Sequence, residues 1–204
     1  MFGKNKVWKI TVLLVVLGLV LTGQVWGQTR FGPRTEPFFR IFESGTFHIK
    51  FSVTAGGVTA DVELFVKGEM MAMSTSAAGE SIRIIIRDDK TYMINDAEKI
   101  IIITAAMPGM SDFAKMGQTD NITFTGTGTA AFNGRNLSYE EYTTNDGRAQ
   151  YFVDGNKLVG IRSISPGTGT VDSIISVLDQ NVPDSAFAVP SRGYQVQDMS
   201  QFSY

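Results

Sequence analysis

The alternation that opens at Thr46 constrains this chain most. In Thr46-Phe47-His48-Ile49-Lys50-Phe51-Ser52-Val53-Thr54, Phe47, Ile49, Phe51 and Val53 take one side and small or polar residues the other. Successive side chains of a strand point to opposite faces, so this period of two reads as a strand with one buried and one wet face. The pattern recurs after brief turns. Gly56-Gly57 leads into Val58–Lys67, with Val62 and Leu64 on its apolar side. Gly68 leads into 69–76, with Met71 and Met73 on one face and Met70 on the other. Ala78-Gly79 leads into Ser81–Arg87, which alternates Ile82, Ile84 and Ile86 against Arg83, Ile85 and Arg87. Asp88-Asp89-Lys90 leads into Thr91–Asn95, and Asn95-Asp96 into Lys99–Thr104, apolar on both faces. Loops this short join antiparallel neighbours and leave no room for parallel crossovers.

Upstream, residues 1–27 read as a signal peptide. Lys4, Lys6 and Lys9 precede an apolar run from Ile10 to Leu21 that is short for a membrane span, and Val25-Trp26-Gly27 suits a cut before Gln28. The competing reading is an uncleaved anchor. The expectation is a protein exported to the periplasm or cell envelope of a bacterium, with 28–204 as one domain without a membrane span, a monomer. Removing the three lysines carries the formal charge of −2 further negative, and no basic run remains, so nucleic acid is not an expected partner. With Cys 0, packing alone must hold the fold.

Between the expected leader and the first strand, Glu36–Glu43 reads as a short helix, with Thr35 as its cap and Phe38, Ile41 and Phe42 on one face. Residues 106–118 interrupt the strands with Met107, Met110, Phe113 and Met116. Ser111 caps a second short helix there, in a segment that either packs on the core or acts as a lid. Strands resume at Ile122–Phe132, Asn136–Thr144, Arg148–Val153 and Lys157–Ser165, with Asn145-Asp146-Gly147 the clearest hairpin turn. Val171–Leu178 fits either helix or strand, and strand is preferred. Residues 181–187 form a closing turn, and Phe187, Val189 and Tyr194 tuck the tail against the sheet. The expected fold is mainly β: about ten or eleven strands in a single antiparallel meander, curved into an open half-barrel and covered by short helices.

The tools of catalysis are scarce. His48, the single histidine, sits on the polar side of a strand, where an ordinary surface role is expected. No Ser/His/Asp set can be built without it, no cysteine nucleophile exists, and zinc lacks ligands. Glu140 and Glu141 are adjacent in a strand and point to opposite faces, so they are no working pair. Gly126-Thr127-Gly128 lacks the following helix and lysine of a phosphate loop. No catalytic residue, metal or cofactor is expected, and the protein reads as non-enzymatic.

The order of elements resembles the superfamily of periplasmic lipoprotein-carrier-like proteins, and more narrowly its DUF4412-type relatives. The resemblance rests on the helix before the meander, on Arg87-Asp88-Asp89-Lys90-Thr91-Tyr92, and on Phe132-Asn133-Gly134-Arg135 before Tyr139-Glu140-Glu141-Tyr142. Tyr151-Phe152-Val153-Asp154 and the closing stretch Val182 to Pro190 with Gly193-Tyr194 complete it. It implies an open half-barrel whose concave face accepts acyl chains. Carrier members hold their lid with a buried strand arginine; Arg83 and Arg87 are strand arginines, but neither matches a motif and no role is carried over.

The expected ligand is therefore apolar, a lipid or a lipidated partner, held between sheet and helical plug. The candidate lining is Phe47, Ile49, Phe51, Val62, Leu64, Met71, Met73, Ile84, Ile102, Met110 and Phe113. One alternative is a structural or envelope-assembly module with a filled core. Another is a Met-rich site for Cu(I), since thioethers are soft ligands; they are also adaptable fillers of apolar space, which weighs more here.

Overall fold

A computed structural model describes residues 31–55, 57–106, 122–144, 147–167 and 169–201. The expected signal peptide, the segment carrying Met107, Met110, Phe113 and Met116, and the turn residues Asn145 and Asp146 lie outside these. Helix α1 (Glu36–Glu43) precedes β1 (Thr46–Ala55), β2 (Val58–Lys67), β3 (Met70–Ala77), β4 (Glu80–Arg87), β5 (Lys90–Asn95) and β6 (Ile100–Ala105). Then come β7 (Thr123–Phe132), β8 (Arg135–Thr144), β9 (Gly147–Asp154), β10 (Lys157–Ser165) and β11 (Gly169–Asp179), a 3-10 helix (Asp184–Phe187) and β12 (Gln195–Asp198). The strand order β12-β6-β5-β4-β3-β2-β1-β11-β10-β9-β8-β7 makes one 12-stranded sheet that does not close into a barrel. The antiparallel strands are as expected, and 169–179 is strand. Two pairings depart from a single meander: β1 lies beside β11, so the sheet joins two runs of consecutive strands and β6 and β7 are not neighbours, and β12 joins β6 in parallel, Gln195 opposite Ile100 to Asp198 opposite Ile103. The chain reaches that edge through the closing segment, which supplies the connection a parallel pair needs.

Two compact units are described in turn. In the first, 31–36, 53–60 and 122–174, β7 to β10 form consecutive hairpins. One face stacks aromatic rings. Phe132 lies on Phe152 with centroids 4.2 Å apart, and Tyr139 meets Phe152 at 5.5 Å. Arg162 lies over Phe132 and Phe152 at 5.6 and 5.3 Å while its guanidinium grips Asp172 at 2.7 and 2.8 Å. Two glycines make room: a Cβ on Gly160 would enter the Phe132 ring edge, and one on Gly128 would strike Tyr139.

The other face of this unit holds a fully buried carboxylate. Glu140 stands opposite Tyr151 in the β8–β9 ladder and beside the buried Tyr142. The lead-in chain lies on it: Arg34 N and Thr35 N each donate to one of its two oxygens at 3.0 Å, and the Thr35 hydroxyl donates at 2.6 Å. Tyr142 accepts from Gly32 N at 2.8 Å and bonds the Thr35 hydroxyl. Gly32 packs so close that a Cβ there would fall inside the Glu140 carboxylate. Burial raises the Tyr142 and Tyr151 phenols above their ordinary pKa, so both stay protonated donors. The expected helix-capping role of Thr35 is corrected accordingly: it precedes α1, but its hydroxyl is taken by Glu140 and Tyr142.

In the second unit, 37–52, 61–106 and 175–201, β3 to β6 are joined by tight turns. Asp88 and Asp89 both take positive φ, 53° and 55°, the geometry of a two-residue hairpin turn. Helix α1 buries Phe39 rather than the expected Phe38 and Ile41. Phe39 and Phe42 are three apart and so share a face; Phe42 meets Phe47 edge-on at 5.1 Å, which fixes which side of this two-turn helix turns inward.

In the first unit, Gly160→Ala should lower stability by about 1–3 kcal/mol, the usual cost of overpacking, read as a fall in the urea midpoint at unchanged slope. Glu140→Leu should cost at least about 1.5–3 kcal/mol, because charge-assisted bonds to the lead-in are lost, and should expose the Arg34 peptide bond to trypsin under native conditions.

Candidate functional site

The candidate site is one face of the sheet in the second unit. Registers across β3 to β6 set three rows on it. Met71, Ile86, Thr91 and Thr104 are successive cross-strand partners; so are Met73, Ile84, Met93 and Ile102; Thr75 stands opposite Ile82. Leu64 and Val66 of β2 belong to the same face, because Phe65, between them, packs with Ala72 and Ile85 on the other. In β1, His48 stacks on Phe65 and Ser52 bonds Asp61 at 2.5 Å, so Phe47, Ile49 and Phe51 share the face of Val62 and Leu64. All nine described candidate residues thus lie together: Phe47, Ile49, Phe51, Val62, Leu64, Met71, Met73, Ile84 and Ile102. Phe47, Ile49, Val62, Leu64, Met71, Met73 and Ile84 are buried, and Phe51 and Ile102 half-buried. Met110 and Phe113 lie outside the described residues.

Three side chains that sequence reasoning did not single out change the chemistry of this face. The hydroxyls of Thr75, Thr91 and Thr104 are buried and have no hydrogen-bond partner. A strand pattern shows which face a threonine takes, but not whether its hydroxyl finds an acceptor. Met93, one of the methionines weighed as cavity lining, was left out of the candidate set, because Tyr92 and Ile94 mark the other face of its strand as the apolar one.

The opposite face is closed by the chain itself. Ala72, Ile85, Ile94 and Ile101 bury Phe187, with Val182, Ala186, Val189 and Tyr194 packed around it. Arg87 Nη1 donates to the Phe187 carbonyl at 3.1 Å, and Lys67 pairs with Asp184 at 2.6 Å. Arg83 holds Asp96 by two bonds at 2.9 and 3.1 Å, Tyr194 donates to the same carboxylate, and Lys99 lies 5.0 Å over the Tyr194 ring. Both strand arginines therefore bind the closing segment or its anchor.

His48 is not the ordinary surface residue expected. Its side chain is 14% exposed, its Nε2 lies 3.0 Å from Glu63 and its Nδ1 3.7 Å from Asp179, and its ring stacks on Phe65 at 4.2 Å. The β1–β2 pairing brings it beside an aromatic ring that no local pattern reveals. Among the described residues no three His, Cys, Asp or Glu are placed to hold a metal. Among the described residues the strand methionines do not converge on one point: Met73 and Met93 are separated by Ile84, and Met70 turns to the other face.

No family model matches the chain, and neither does any curated protein. Solved structures do. An uncharacterized conserved protein from Thermus thermophilus superposes with a TM-score of 0.51 and 5% identity, over 80% of this chain and 98% of that one; the likeness is one of fold. Neighbours also include the Pseudomonas aeruginosa MucA/MucB complex structure, with a TM-score of 0.44 and 11% identity over 76% of this chain and 60% of that one. A DUF1329 family protein from Desulfovibrio piger aligns with a TM-score of 0.30 and 12% identity, over 77% of this chain and 98% of that one. Among the described residues no helix is long and apolar enough to cross a membrane.

The anchor of the closing segment is sensitive to acid. The Tyr194 hydrogen bond first, then Arg83, holds the Asp96 carboxyl below its ordinary 3.8. A carboxyl depressed in the folded state contributes stability above its unfolded pKa and loses it as pH falls below 3.8 through the folded value. Asp96→Asn should therefore destabilise the protein at pH 7 and reduce the further loss of stability between about pH 4 and pH 2, measured by urea unfolding across that range.

Proposed function

We propose that this is an exported, non-enzymatic protein with a carrier-like fold, and that the Phe47–Ile102 face of the second unit binds an apolar ligand, a lipid or a lipidated partner. One observation carries the reading. The chain covers one apolar face of β3 to β6 with its own closing segment and tethers that cover with ion pairs, while the other face gathers all nine described candidates around buried hydroxyls that nothing satisfies. A self-contained core has little reason to hold unpaired donors, whereas a ligand face does. The face carries neither acid nor base in its rows, so its work is to hold a molecule and not to transform it. The resemblance in element order to periplasmic carriers points to the same ligand class, and the lysine-flanked apolar N-terminal stretch to export.

A second reading, a structural or envelope-assembly module, is favoured by how little of the face is open: Met71 is 2% and Met73 5% exposed. Uptake of an acyl probe separates the two. Protein from an envelope fraction should carry acyl masses in native mass spectrometry, and the purified chain should take up a pyrene-labelled acyl dye saturably. An apo mass alone together with no uptake would reject the carrier and leave the assembly module.

A further inference from the structure

The three unpartnered hydroxyls are not scattered. Thr91 and Thr104 are direct cross-strand partners in the β5–β6 ladder, so their side chains stand side by side on one face. Thr91 is fully buried. Their row continues through Ile86 and Met71, and the next row is wholly apolar: Met73, Ile84, Met93 and Ile102. Thr75 lies opposite Ile82, four residues along β4 from Ile86, or about 13 Å at a strand's rise. Two adjacent donors at the edge of a greasy strip match one kind of molecule: a long hydrocarbon ending in a polar group that accepts hydrogen bonds.

Charge narrows the choice. The rows hold no cation, and Arg87 and Lys90, which flank this end of β4 and β5, alternate onto the opposite face. A carboxylate set between Thr91 and Thr104 would be buried without a counter-charge, which is costly. A neutral carbonyl has two lone pairs and needs only donors, and two hydroxyls supply them. Resting on the carrier reading above, we propose that Thr91 and Thr104 together seat the ester carbonyl of a neutral acyl ester, whose chain runs over the Met73–Ile84–Met93–Ile102 row.

The test uses the purified chain and a bound pyrene-labelled acyl probe displaced by three competitors of equal chain length: methyl palmitate, palmitate and hexadecane. Methyl palmitate should compete about tenfold more tightly than hexadecane, and more tightly than palmitate at about pH 8. In the double variant Thr91→Val, Thr104→Val the preference for ester over hexadecane should vanish while hexadecane binding is unchanged; Thr91→Ser should retain the preference. The double variant keeps the volume of the buried pair, and replacing an unsatisfied hydroxyl by methyl should leave the urea midpoint equal or higher, so misfolding does not mask the result. Several outcomes overturn the proposal: an ester preference that survives in the double variant, palmitate binding tighter than its ester, or wild-type protein that holds hexadecane as well as the ester. The last leaves the carrier reading standing. Failure of every competitor and of the probe itself removes both.

Discussion

Strands β4 to β6 are apolar on both sides, and the second unit is built to answer that demand. Ile85, Ile94 and Ile101 face one way; Ile84, Ile86 and Ile102 face the other. Each such side chain gains about 1.5–3 kcal/mol from complete burial, so a sheet left bare on either side would forfeit much of what holds it folded. Helices usually supply the cover. Here the described helical material of this unit is a two-turn α1 and a 3-10 helix of four residues, and the second of these leads one face's cover. The closing segment inserts Phe187 and then adds a parallel strand to β6, with Gln195 N donating to the Lys99 carbonyl at 2.8 Å and Met199 N to that of Ile103 at 2.7 Å. Edge pairing and side-chain burial thus reinforce each other: the backbone bonds hold the tail in the register that keeps Tyr194 over Asp96.

The first unit meets a different shortage by different means. Its strands are rich in glycine, threonine and tyrosine, not isoleucine, so it draws less on aliphatic burial. Removing Cβ atoms at Gly128 and Gly160 lets rings settle onto backbone, and Arg162 closes the stack as a cation over two aromatic faces. On the other face a buried carboxylate would be a liability if left alone. Glu140 is instead surrounded by donors from the lead-in backbone and the Thr35 hydroxyl, which also orders a segment with no ladder of its own. The same group that needs compensation supplies the anchor.

Much of this architecture could be read from residue order, and where the reading stopped has physical causes. Period-two alternation located β1 to β5 and grouped eight of the candidates by strand face, because face is a strictly local property of a strand, whereas Ile102 came from a strand apolar on both sides. The partners of Glu140 were not legible. A glutamate beside a second glutamate in a strand looks solvated, and the backbone groups that satisfy it come from Arg34 and Thr35, over a hundred residues away. The parallel strand β12 was missed for the same reason: Gln-Val-Gln-Asp has no strong strand signature, and only the docked Tyr194 delivers it to an edge. Helix α1 was found but rotated, since consecutive phenylalanines at 38 and 39 let either face the sheet.

Polar groups in the second unit are distributed unevenly between the two faces, and this asymmetry says more than the hydrophobic pattern does. On the self-covered face Asp96 meets Arg83 and Tyr194, and the Phe187 carbonyl meets Nη1 of Arg87, while the buried Arg87 Nε, 3.1 Å from an Asp88 oxygen, makes no hydrogen bond. Such near-closure, with one buried donor left unmet against three hydroxyls on the other face, suits a permanent interface, because each unmet donor there works against the fold in every molecule. On the opposite face the apolar residues are as well chosen, yet three hydroxyls stay open. Permanent cover by apolar side chains would leave that cost standing. An occupant with acceptors would remove it, and would do so only while bound. On the proposed reading, a face finished in hydrocarbon and unfinished in hydrogen bonds would be completed by an occupant that comes and goes.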